Sequence, residues 1–484
     1  MRVVIIGNGI IALSTAFRLL KKGDNELRIT LIGPTQRPGS ASLAAGAMLN
    51  SFAEIEYDTF KSDIDHYRFE LNRKATHLWP KFQQDLAEES IKLTESSEKT
   101  VVDAYLENVV KNGTYVINNA SCDELDDDNF DAILGALQKF NANHHMVKPC
   151  EIPSYNPHPK DRAHRALFIE NEGWVNPMLV LNQLDAVLRQ SGKFYHINDT
   201  VHRIEQSGNT INAAHTNKHG RIEGDHFLLA NGASIGQLLE NSGNPIRTQR
   251  VFYGVGVSLH LGTREIRQTN CIRTPARGLA CGLYSVPLYD ADDQSKITVG
   301  ASNFISKDPY SFGRITSVET LMRSAIRQIN HLYYKADLIS VNVGWRPTSQ
   351  DTYPMIGPTS ISNLTVATGT KRDGFHMAPV LSDYIAKIVL GMPVDDRFSV
   401  FHPERPLIKT MSREQAVQKA VRHQISAAYQ HGFEPATSRT IDQLRSSIES
   451  DVQNIHDKAG AEDWGIPPEL LDMYRWGHAR DWQP

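Results

Sequence analysis

The chain has 484 residues, 40% of them hydrophobic and 22% charged, which is typical of a globular protein with two or three domains. Its formal net charge of -4 gives no electrostatic reason to expect binding to nucleic acid or to an anionic membrane. No apolar run reaches the roughly 18 residues that a membrane span needs, and the four cysteines show neither a CxxC pair nor metal-ligand spacing. We therefore expect a cytoplasmic protein with no metal site and no membrane span.

The chain opens with a predicted strand, a glycine-containing turn and a helix. Residues 3–6 are apolar at every position, as in a buried parallel strand, and residues 11–22 have helical periodicity. Between them, Gly7, Gly9 and Ala12 form the G-x-G-x-x-A version of the dinucleotide-binding fingerprint. The first glycine permits a tight turn, the second lets the backbone approach a pyrophosphate, and the alanine allows the helix to lie close to the strand. These residues predict a dinucleotide site.

A second strand is predicted at residues 28–32 and completes a βαβ unit. The acidic residue that usually follows this strand and holds the ribose hydroxyls is replaced by Gly33 and Pro34, so the ribose must find another partner. The next segment, residues 39–48, is rich in glycine, alanine and serine. So many small residues favour a backbone that lies against something flat or charged, because a flexible linker would be more polar.

The middle of the chain is predicted to alternate helices with short strands. Residues 54–112 are helix-rich, residues 152–165 form a connector, and the acidic run at 124–129 is interpreted as a solvated loop because no histidine is spaced to join it in a metal site. Alternation of polar and apolar residues across 245–340 predicts an antiparallel sheet. Helices are also predicted at 178–190 and 317–333, and strands at 201–205 and 210–215. Residues 225–234 predict a buried strand that ends in a small-residue turn at a helix N-terminus.

The second distinctive pattern lies at residues 342–379. It predicts a turn-rich loop carrying Arg346, a strand at 364–367, a glycine-rich turn at 369–374 and a helix from about residue 378 to 390. Free N–H groups in such a turn suit an anion or the polar edge of a cofactor. The arginine of the loop and a second arginine in the turn offer planar forks that can hold a carboxylate through two parallel hydrogen bonds.

Three features together resemble the D-amino acid oxidase/glycine oxidase superfamily of FAD enzymes. They are the N-terminal fingerprint, the Ser-Ala-Ser-Leu-Ala-Ala-Gly-Ala stretch at 40–47, and the Gly-Trp-Arg-Pro-Thr-x-x-Asp-x-x-Pro-x-Ile-Gly block that begins at Gly344. The resemblance covers roughly residues 1–406 and is specific for the superfamily, but not for one substrate. It implies an α/β fold with a Rossmann-type FAD-binding domain, of the glutathione-reductase-like kind, and an antiparallel-sheet substrate domain.

By this resemblance the chain divides into two domains and an extension. The FAD-binding domain would comprise residues 1–85, 162–244 and 340–406, and the substrate domain residues 86–161 and 245–339. Residues 407–484 lie beyond the resemblance, and helices are predicted there at 412–431, 438–458 and 467–478. This helical C-terminal extension would cover the oxidase body, make a homo-oligomer contact or dock a partner subunit.

The resemblance implies FAD as the cofactor. Family members that attach FAD covalently use a cysteine in the loop before the Pro-x-Ile-Gly element, and residues 344–351 contain none, so non-covalent FAD is predicted. The expected contacts come from the fingerprint, the small-residue stretch, two strand ends and the second distinctive pattern. They are Gly7, Gly9, Ile10, Ile11, Ser40, Ala41, Ser42, Ala45, Gly46, Val201, Ala230, Gly232, Arg346, Asp373, Gly374, Phe375 and His376.

The implied reaction is oxidation of the α-carbon–nitrogen bond of an amino acid or secondary amine. Hydride passes from the α-carbon to the flavin, the imine is hydrolysed to a 2-oxo acid, and dioxygen reoxidises the flavin to give hydrogen peroxide. Arg346 is predicted to hold the substrate carboxylate, with Arg372 and Tyr284 as second contacts. The structural alternatives are an arginine bonded to loop carbonyls and a tyrosine packed in a strand.

Other functions remain open at this stage. The chain could be an FAD dehydrogenase of a 2-hydroxy acid or an amine that passes electrons to an acceptor other than dioxygen. It could be part of a larger assembly in which the helical extension docks a partner. It could also be a biosynthetic oxidase that acts on a large or carrier-bound amino acid. The residues singled out above do not separate these functions.

Overall fold

The computed structural model describes residues 1–93, 110–119, 123–264, 266–288 and 295–479. Residues 94–109 of the predicted helix-rich segment lie outside the described residues, and its last residues, 110–112, belong to a strand rather than a helix. The strands are β1 (Arg2–Ile6), β2 (Arg28–Ile32), β3 (Val110–Asn119), β4 (His144–Val147), β5 (Ala163–Val175), β6 (Phe194–Ile197), β7 (Val201–Ser207), β8 (Thr210–Thr216), β9 (Gly220–Glu223), β10 (His226–Leu229), β11 (Val251–Gly262), β12 (Cys271–Arg273), β13 (Tyr284–Pro287), β14 (Lys296–Gly300), β15 (Phe304–Ser306), β16 (Asp337–Ser349), β17 (Met355–Pro358) and β18 (Leu364–Thr368).

Helices connect and cover these strands. They are α1 (Ile10–Lys22), α2 (Asp63–Leu93), α3 (Glu124–Lys139), α4 (Pro177–Gln190), α5 (Ile235–Asn241), α6 (Ile315–Gln328), α7 (Ala378–Val389), α8 (Arg413–Gln430), α9 (Ser438–Ala459) and α10 (Leu471–Arg475). None of these helices combines the length and the apolar character needed to cross a membrane.

A six-stranded sheet contains the start of the chain, with strand order β17-β18-β10-β1-β2-β6. Neighbouring strands are parallel except β17, which is antiparallel to β18. Val3 and Ile5 of β1 share a core with helices α1, α4 and α7, whereas Val4 and Ile6 share another with β7, β8 and α5. Burial on both faces explains why β1 is apolar at every position. The predicted Rossmann-type fold is confirmed.

A nine-stranded sheet forms the second layer of the described residues, in the order β15-β11-β14-β13-β12-β3-β5-β4, with β16 also paired to β11. Its pairs are antiparallel except for β12 and β3. The antiparallel sheet predicted at residues 245–340 is therefore confirmed. It is larger than expected, because β3, β4 and β5 extend it with strands from earlier in the chain. The domain boundaries given above stay a prediction.

The prediction of a turn-rich loop around Arg346 is wrong. Arg346 lies within β16, which is antiparallel to β11, and it is paired with Gly254. Pro347 is a turn marker in the sequence, but β16 pairs only with β11 among the described strands, so a residue without an N–H group is tolerated on its other edge. A strand fixes the direction of the arginine more firmly than a loop would.

The acidic run at 124–129 is the start of helix α3 rather than a loop. Asp123 caps this helix, and its carboxylate accepts a hydrogen bond from the Leu125 amide at 3.2 Å. Carboxylates in a first helical turn are stabilised by the positive end of the helix dipole. Phe130 and Ile133 are buried on the same helix. The charges therefore belong to an amphipathic helix, which the sequence reading missed.

The predicted helical extension is present and packs against the rest of the protein. Its helices α8, α9 and α10 share a hydrophobic core with Phe252 of β11, and Trp464 and Ile466 belong to the same core. The last predicted helix is shorter than expected, because α10 follows a single 3-10 turn at Pro468–Leu470 and ends at Arg475. The extension is thus a packed part of the fold.

Ile455→Ala should destabilise the protein, because Ile455 is only 3% exposed in the core that joins α9 to β11. Removing a side chain of this size from a core costs about 2–5 kcal/mol of unfolding free energy. Denaturant unfolding followed by tryptophan fluorescence measures the loss, and Gln443→Ala on the exposed face of α9 is the matched control. A loss equal to that of the control would show that this core does not support the fold.

Candidate active site

A cavity of about 620 Å³ lies at the carboxyl ends of β1, β10 and β18. Ligands of open α/β sheets bind at this edge of the strands. Every residue predicted above to contact the cofactor or the substrate lines this one cavity. The fold therefore brings together residues that are far apart in the sequence, while their individual roles stay predictions.

The turn between β1 and α1 depends on two glycines. Gly7 has a φ of +119°, and a Cβ atom there would lie 2.3 Å from the carbonyl oxygen of Ala230. Helix α1 begins after Gly9 with no side-chain cap and no acidic residue in its first turn. The Ile10 amide donates to Ser42 Oγ at 3.1 Å. An uncapped helix N-terminus without a competing carboxylate attracts anions, so this end of the cavity fits a pyrophosphate.

The small-residue stretch at 39–48 lies against β16. The Trp345 amide donates to the carbonyl of Gly39 at 2.8 Å, and a Cβ atom on Gly39 would lie 2.2 Å from the indole ring of Trp345. A Cβ atom on Gly344 would lie 2.8 Å from the Cβ of Ala44. The indole ring of Trp345 therefore supplies part of the flat surface that the sequence predicts beside this stretch. Larger residues at these positions would push β16 away from the cavity.

Arg346 lines the cavity with its guanidinium already fixed by the protein. Nη1 donates to the carbonyl of Ser302 at 3.0 Å and to Asn303 Oδ1 at 2.9 Å, and Nη2 donates to the same carbonyl at 3.0 Å. Gly256 leaves room for the group, because a Cβ atom there would lie 2.1 Å from Nη2. These bonds use only part of the donors of an arginine, and the edge formed by Nε and Nη2 keeps two donors side by side. The structural role and a carboxylate-binding role are compatible.

Tyr284 is the first residue of β13 and is 4% exposed. Two glycines make room for its ring, because Cβ atoms on Gly46 and Gly300 would lie 2.7 and 2.2 Å from it. Burial raises the pKa of the Tyr284 hydroxyl, although the nearby Arg346 acts in the opposite direction. The hydroxyl is therefore neutral and can both donate and accept a hydrogen bond.

Arg372 lies in the glycine-rich turn and lines the cavity together with Glu54 and Cys281. Its side chain is 19% exposed, and its one ion pair among the described residues joins Nη2 to Glu56 Oε1 over 3.9 Å. Its Nη1 has no hydrogen-bond partner among the described residues. Burial opposes its charge, but Glu54, Glu469 and Glu56 raise the pKa of Arg372, so the guanidinium is charged. It is a cation with unused donors.

The rest of the glycine-rich turn is anchored by helix α2. Arg68 forms an ion pair with Asp373, with Nε 3.1 Å from Oδ2. Trp79 Nε1 donates to the carbonyl of His376 at 2.7 Å, and His376 Nε2 lies 2.8 Å from Thr76 Oγ1. Burial lowers the pKa of His376 to about 4, so its ring is neutral at neutral pH. Because these side chains have internal partners, the turn offers the cavity mainly its backbone.

Sequence reasoning misses several residues of the cavity wall. Glu54 and Cys281 lie beside Arg372, and burial raises the pKa of the Cys281 thiol. At the end of β2, Arg37 Nε donates to the carbonyl of Asn8 at 2.9 Å, close to where the ribose acid is missing. Asn8 occupies a variable position of the fingerprint. Glu54, Cys281 and Arg37 belong to no motif. They come from loops whose position depends on the whole fold.

Comparison with known proteins agrees with this geometry. The model of the family DAO, described as FAD dependent oxidoreductase, matches residues 2–388. The chain is 23% identical over 83% of its length to the bifunctional protein ThiO/ThiG of Trichormus variabilis, and it spans about half of that relative, 55%. It is 26% identical over 81% of its length to the glycine oxidase of Pseudomonas aeruginosa, of which 95% is covered.

The same fold occurs in solved structures. The crystal structure of iminodiacetate oxidase (IdaA) from Chelativorans sp. BNC1 matches with a TM-score of 0.66 and 19% identity, covering 83% of this chain and 99% of the other. At that identity the likeness concerns the fold alone. The family match ends at residue 388, so helices α8, α9 and α10 lie beyond it.

His376→Gln should make the protein less sensitive to acid. The pKa of His376 is lowered to about 4, whereas an unfolded histidine titrates near about 6.5. The unfolded chain therefore binds the proton first, and the native state loses stability as the pH falls from about 6.5 to about 4. At pH 5 the loss from this group is about 2 kcal/mol.

Unfolding free energies at pH 7.5 and pH 5 measure this effect. We expect the difference between the two pH values to shrink in His376→Gln and to stay unchanged in His77→Gln, where the histidine is exposed on helix α2, against which the turn of His376 packs. An undiminished pH dependence in His376→Gln would contradict a neutral buried ring.

Proposed function

The chain belongs to the DAO family of FAD-dependent oxidoreductases, and from this premise we propose that it oxidises the α-carbon–nitrogen bond of an amino acid or secondary amine that carries a carboxylate. The imine product is hydrolysed by water to a 2-oxo acid and ammonia or an amine. Dioxygen is the proposed acceptor, which yields hydrogen peroxide. The observation that supports this reaction most directly is the fixed guanidinium of Arg346, which keeps two adjacent donors at the wall of the cavity.

The residues of the cavity fit FAD. The turn at Gly7 and Gly9 and the uncapped start of α1 would hold the pyrophosphate, and residues 40–46 and 373–376 would hold the flavin part through their backbone. The bound flavin supplies the redox chemistry by accepting the hydride. We propose that FAD is bound without a covalent link, because Cys281 in the wall is a buried thiol whose pKa is raised, and a protonated thiol is a poor nucleophile.

Arg346 would bind the substrate carboxylate through its Nε and Nη2 edge. Its other edge is held by Ser302 and Asn303, so the guanidinium is oriented before the substrate arrives. Tyr284 is a neutral, buried hydroxyl near Arg346 and would make the second contact. Such fixed groups bring the α-carbon to one position, and orientation of this kind can lower a barrier by several kcal/mol.

In the part of the wall formed by Glu54 and the glycine-rich turn, each carboxylate or imidazole of the described residues already has a protein partner. Asp373 is paired with Arg68, Glu54 with the buried Arg273, and the neutral ring of His376 with Thr76. An amine that enters in its neutral form needs no such base, because hydride transfer breaks the C–H bond without a separate proton acceptor. The arrangement therefore favours hydride transfer from a neutral amine.

Two finer points stay predictions. An acceptor other than dioxygen would make the protein a dehydrogenase, which is the alternative to the proposed oxidase. The cytoplasmic location expected from composition is likewise proposed.

Anaerobic mixing with candidate substrates should bleach the flavin band of the purified protein. The panel comprises glycine, sarcosine, D- and L-amino acids, proline and 2-hydroxy acids. We expect bleaching by a carboxylate-bearing amine and recovery of the band when air is admitted, with hydrogen peroxide formed. Bleaching without recovery would contradict dioxygen as the acceptor and favour a dehydrogenase, and bleaching by 2-hydroxy acids alone would overturn the amine reaction.

Arg346→Lys should raise the dissociation constant of the best substrate by about 10–100-fold, because lysine keeps the charge but cannot form two parallel hydrogen bonds. The measurement is a substrate titration of the anaerobic reduction rate, with FAD content determined for each variant. Arg203→Lys, at an exposed position of β7, is the control. Equal affinity in both variants would show that Arg346 serves only the structure.

Acid precipitation should release the flavin into the supernatant, as expected for non-covalent FAD. Retention of flavin in the washed pellet, and its loss in Cys281→Ser, would instead identify a covalent link to that thiol.

A further inference from the structure

A second cavity of about 270 Å³ adjoins the FAD cavity, and the helical extension forms one of its walls. Glu54, Lys371, Arg372 and Asp373 line both cavities, so the two spaces meet there. We call the second cavity the extension chamber. The extension contributes Gln415, Lys419, Arg422, His423 and Glu469 to its lining.

Buried ion pairs hold the extension over the chamber. Lys419 Nζ lies 2.9 Å from Glu56 Oε2 and 2.9 Å from Asp58 Oδ2, and none of these side chains is more than 20% exposed. Lys371 Nζ lies 2.6 Å from Glu469 Oε1, with both side chains nearly buried. These pairs join residues of the family fold to α8 and to the segment before α10, so the chamber exists only where the extension is docked.

The charges of the chamber largely cancel. Each of the cations Lys371, Lys419, Arg68 and Arg422 has a carboxylate partner within 2.9 Å. Glu54, which reaches the chamber from the family fold, is paired with Arg273. Among the described residues Arg372 has no carboxylate closer than 3.9 Å, but Glu54, Glu56 and Glu469 together stabilise its charge and raise its pKa. A charged ligand would therefore add an uncompensated charge to a buried site, which is costly.

Polar atoms without protein partners nevertheless line the chamber. His423 is 1% exposed, and its Nδ1 accepts a hydrogen bond from the Leu279 amide at 3.1 Å, so in the neutral ring the hydrogen is on Nε2. Nε2 has no hydrogen-bond partner, since its nearest acceptor, Glu56 Oε2, is 3.6 Å away. Arg372 Nη1 and Glu469 Oε2 also lack partners among the described residues. Asn72 Oδ1 and Glu56 Oε2 also lack hydrogen-bond partners among the described residues, although Glu56 Oε2 is ion-paired with Lys419. The chamber thus offers two donors and three acceptors.

We propose that the extension chamber binds the far end of an extended substrate, and that this end is an uncharged group able to accept and donate hydrogen bonds, such as a primary carboxamide. The inference rests on the proposed oxidation of a carboxylate-bearing amine, whose reacting end lies at Arg346. A carboxamide oxygen can accept from His423 and Arg372, and its NH₂ group can donate to Glu469. An alkyl group would leave these atoms unpaired, and a carboxylate or ammonium would disturb the charge balance.

The test uses the full-length, FAD-loaded protein and ligands that cannot be oxidised because they carry no amine. Succinamate, glutaramate and adipamate are titrated against the dicarboxylate and the alkyl monocarboxylate of each chain length, and binding is followed by the change in the flavin absorption spectrum. We expect at least one amide to bind about tenfold more tightly than both of its matched acids. The chain length that shows the largest difference measures the distance from Arg346 to the chamber.

Variants connect the preference to the extension. His423→Ala should abolish the advantage of the amide, whereas Gln424→Ala, the next position of α8 and outside both cavities, should keep it. Equal binding of amide, dicarboxylate and alkyl acid at every length would overturn the inference. If His423→Ala does not fold, the comparison of amide, dicarboxylate and alkyl acid in the unsubstituted protein still tests the inference.

The outcomes also separate this inference from the reaction on which it rests. Suppose that the amide, the dicarboxylate and the alkyl acid change the flavin spectrum equally well, and that amines still bleach the flavin. The proposed reaction would then stand, and only the proposed role of the chamber would be contradicted. A flavin that no amine bleaches and no acid perturbs would overturn the proposed reaction, and the chamber inference with it.

Discussion

The pairing of β16 with β11 determines where Trp345 and Arg346 lie in the wall of the cavity. Along this pair, Gly256 accommodates the guanidinium of Arg346, and on the other side Gly39 accepts the indole of Trp345. A methyl group at either glycine would overlap the opposing side chain by more than an ångström, which a packed interior cannot absorb without moving the strand. The small residues of this enzyme are thus as informative as its charged ones, because they set the distance between the layers.

A second physical theme is the treatment of buried charge. Ionised groups in a protein interior are tolerated when they are paired and hydrogen bonded. The active-site cavity and the extension chamber follow this rule at Asp373, Glu54 and Lys419, each of which has a close partner of opposite charge. Arg346 and Arg372 differ, since Arg346 is held by neutral oxygen atoms and Arg372 has only a distant carboxylate. Unpaired donors on these two partly buried cations distinguish them from the structural ion pairs around them.

Much of the fold and most of the cavity wall could be predicted from the sequence, because the signals are local. The apolar β1, the glycines of the first turn and the periodicity of α1 specify a strand, a turn and a helix within some twenty residues. The prediction of a loop around Arg346 was wrong because Gly344 and Pro347 are turn markers in isolation. Pairing with a distant strand makes them strand residues. The prediction of a loop at residues 124–129 was wrong because a run of charges resembles a solvated loop. The same carboxylates also suit the first turn of a helix that is capped by Asp123.

The extension chamber could not be predicted from any local signal. Glu56 and His423 lie 3.6 Å apart in space but come from opposite ends of the chain, and neither belongs to a motif. Residues that meet only through tertiary packing leave no spacing pattern in the sequence, since nothing in the intervening residues has to repeat or alternate. Glu54, Cys281 and Arg37 escaped prediction for the same reason.

The arrangement of the sheet and the extension also determines the order in which parts of the fold can form during synthesis. β1 is made first, but its sheet is completed by β10 and β18, and the chamber is closed by Glu469, close to the end of the chain. Synthesis proceeds from the N-terminus at about 5–20 residues per second. β1 therefore remains without its neighbour β10 until the intervening residues have been made. A chain interrupted between residue 388 and α8 would therefore contain the residues that the family model matches and lack the wall that the extension gives the chamber.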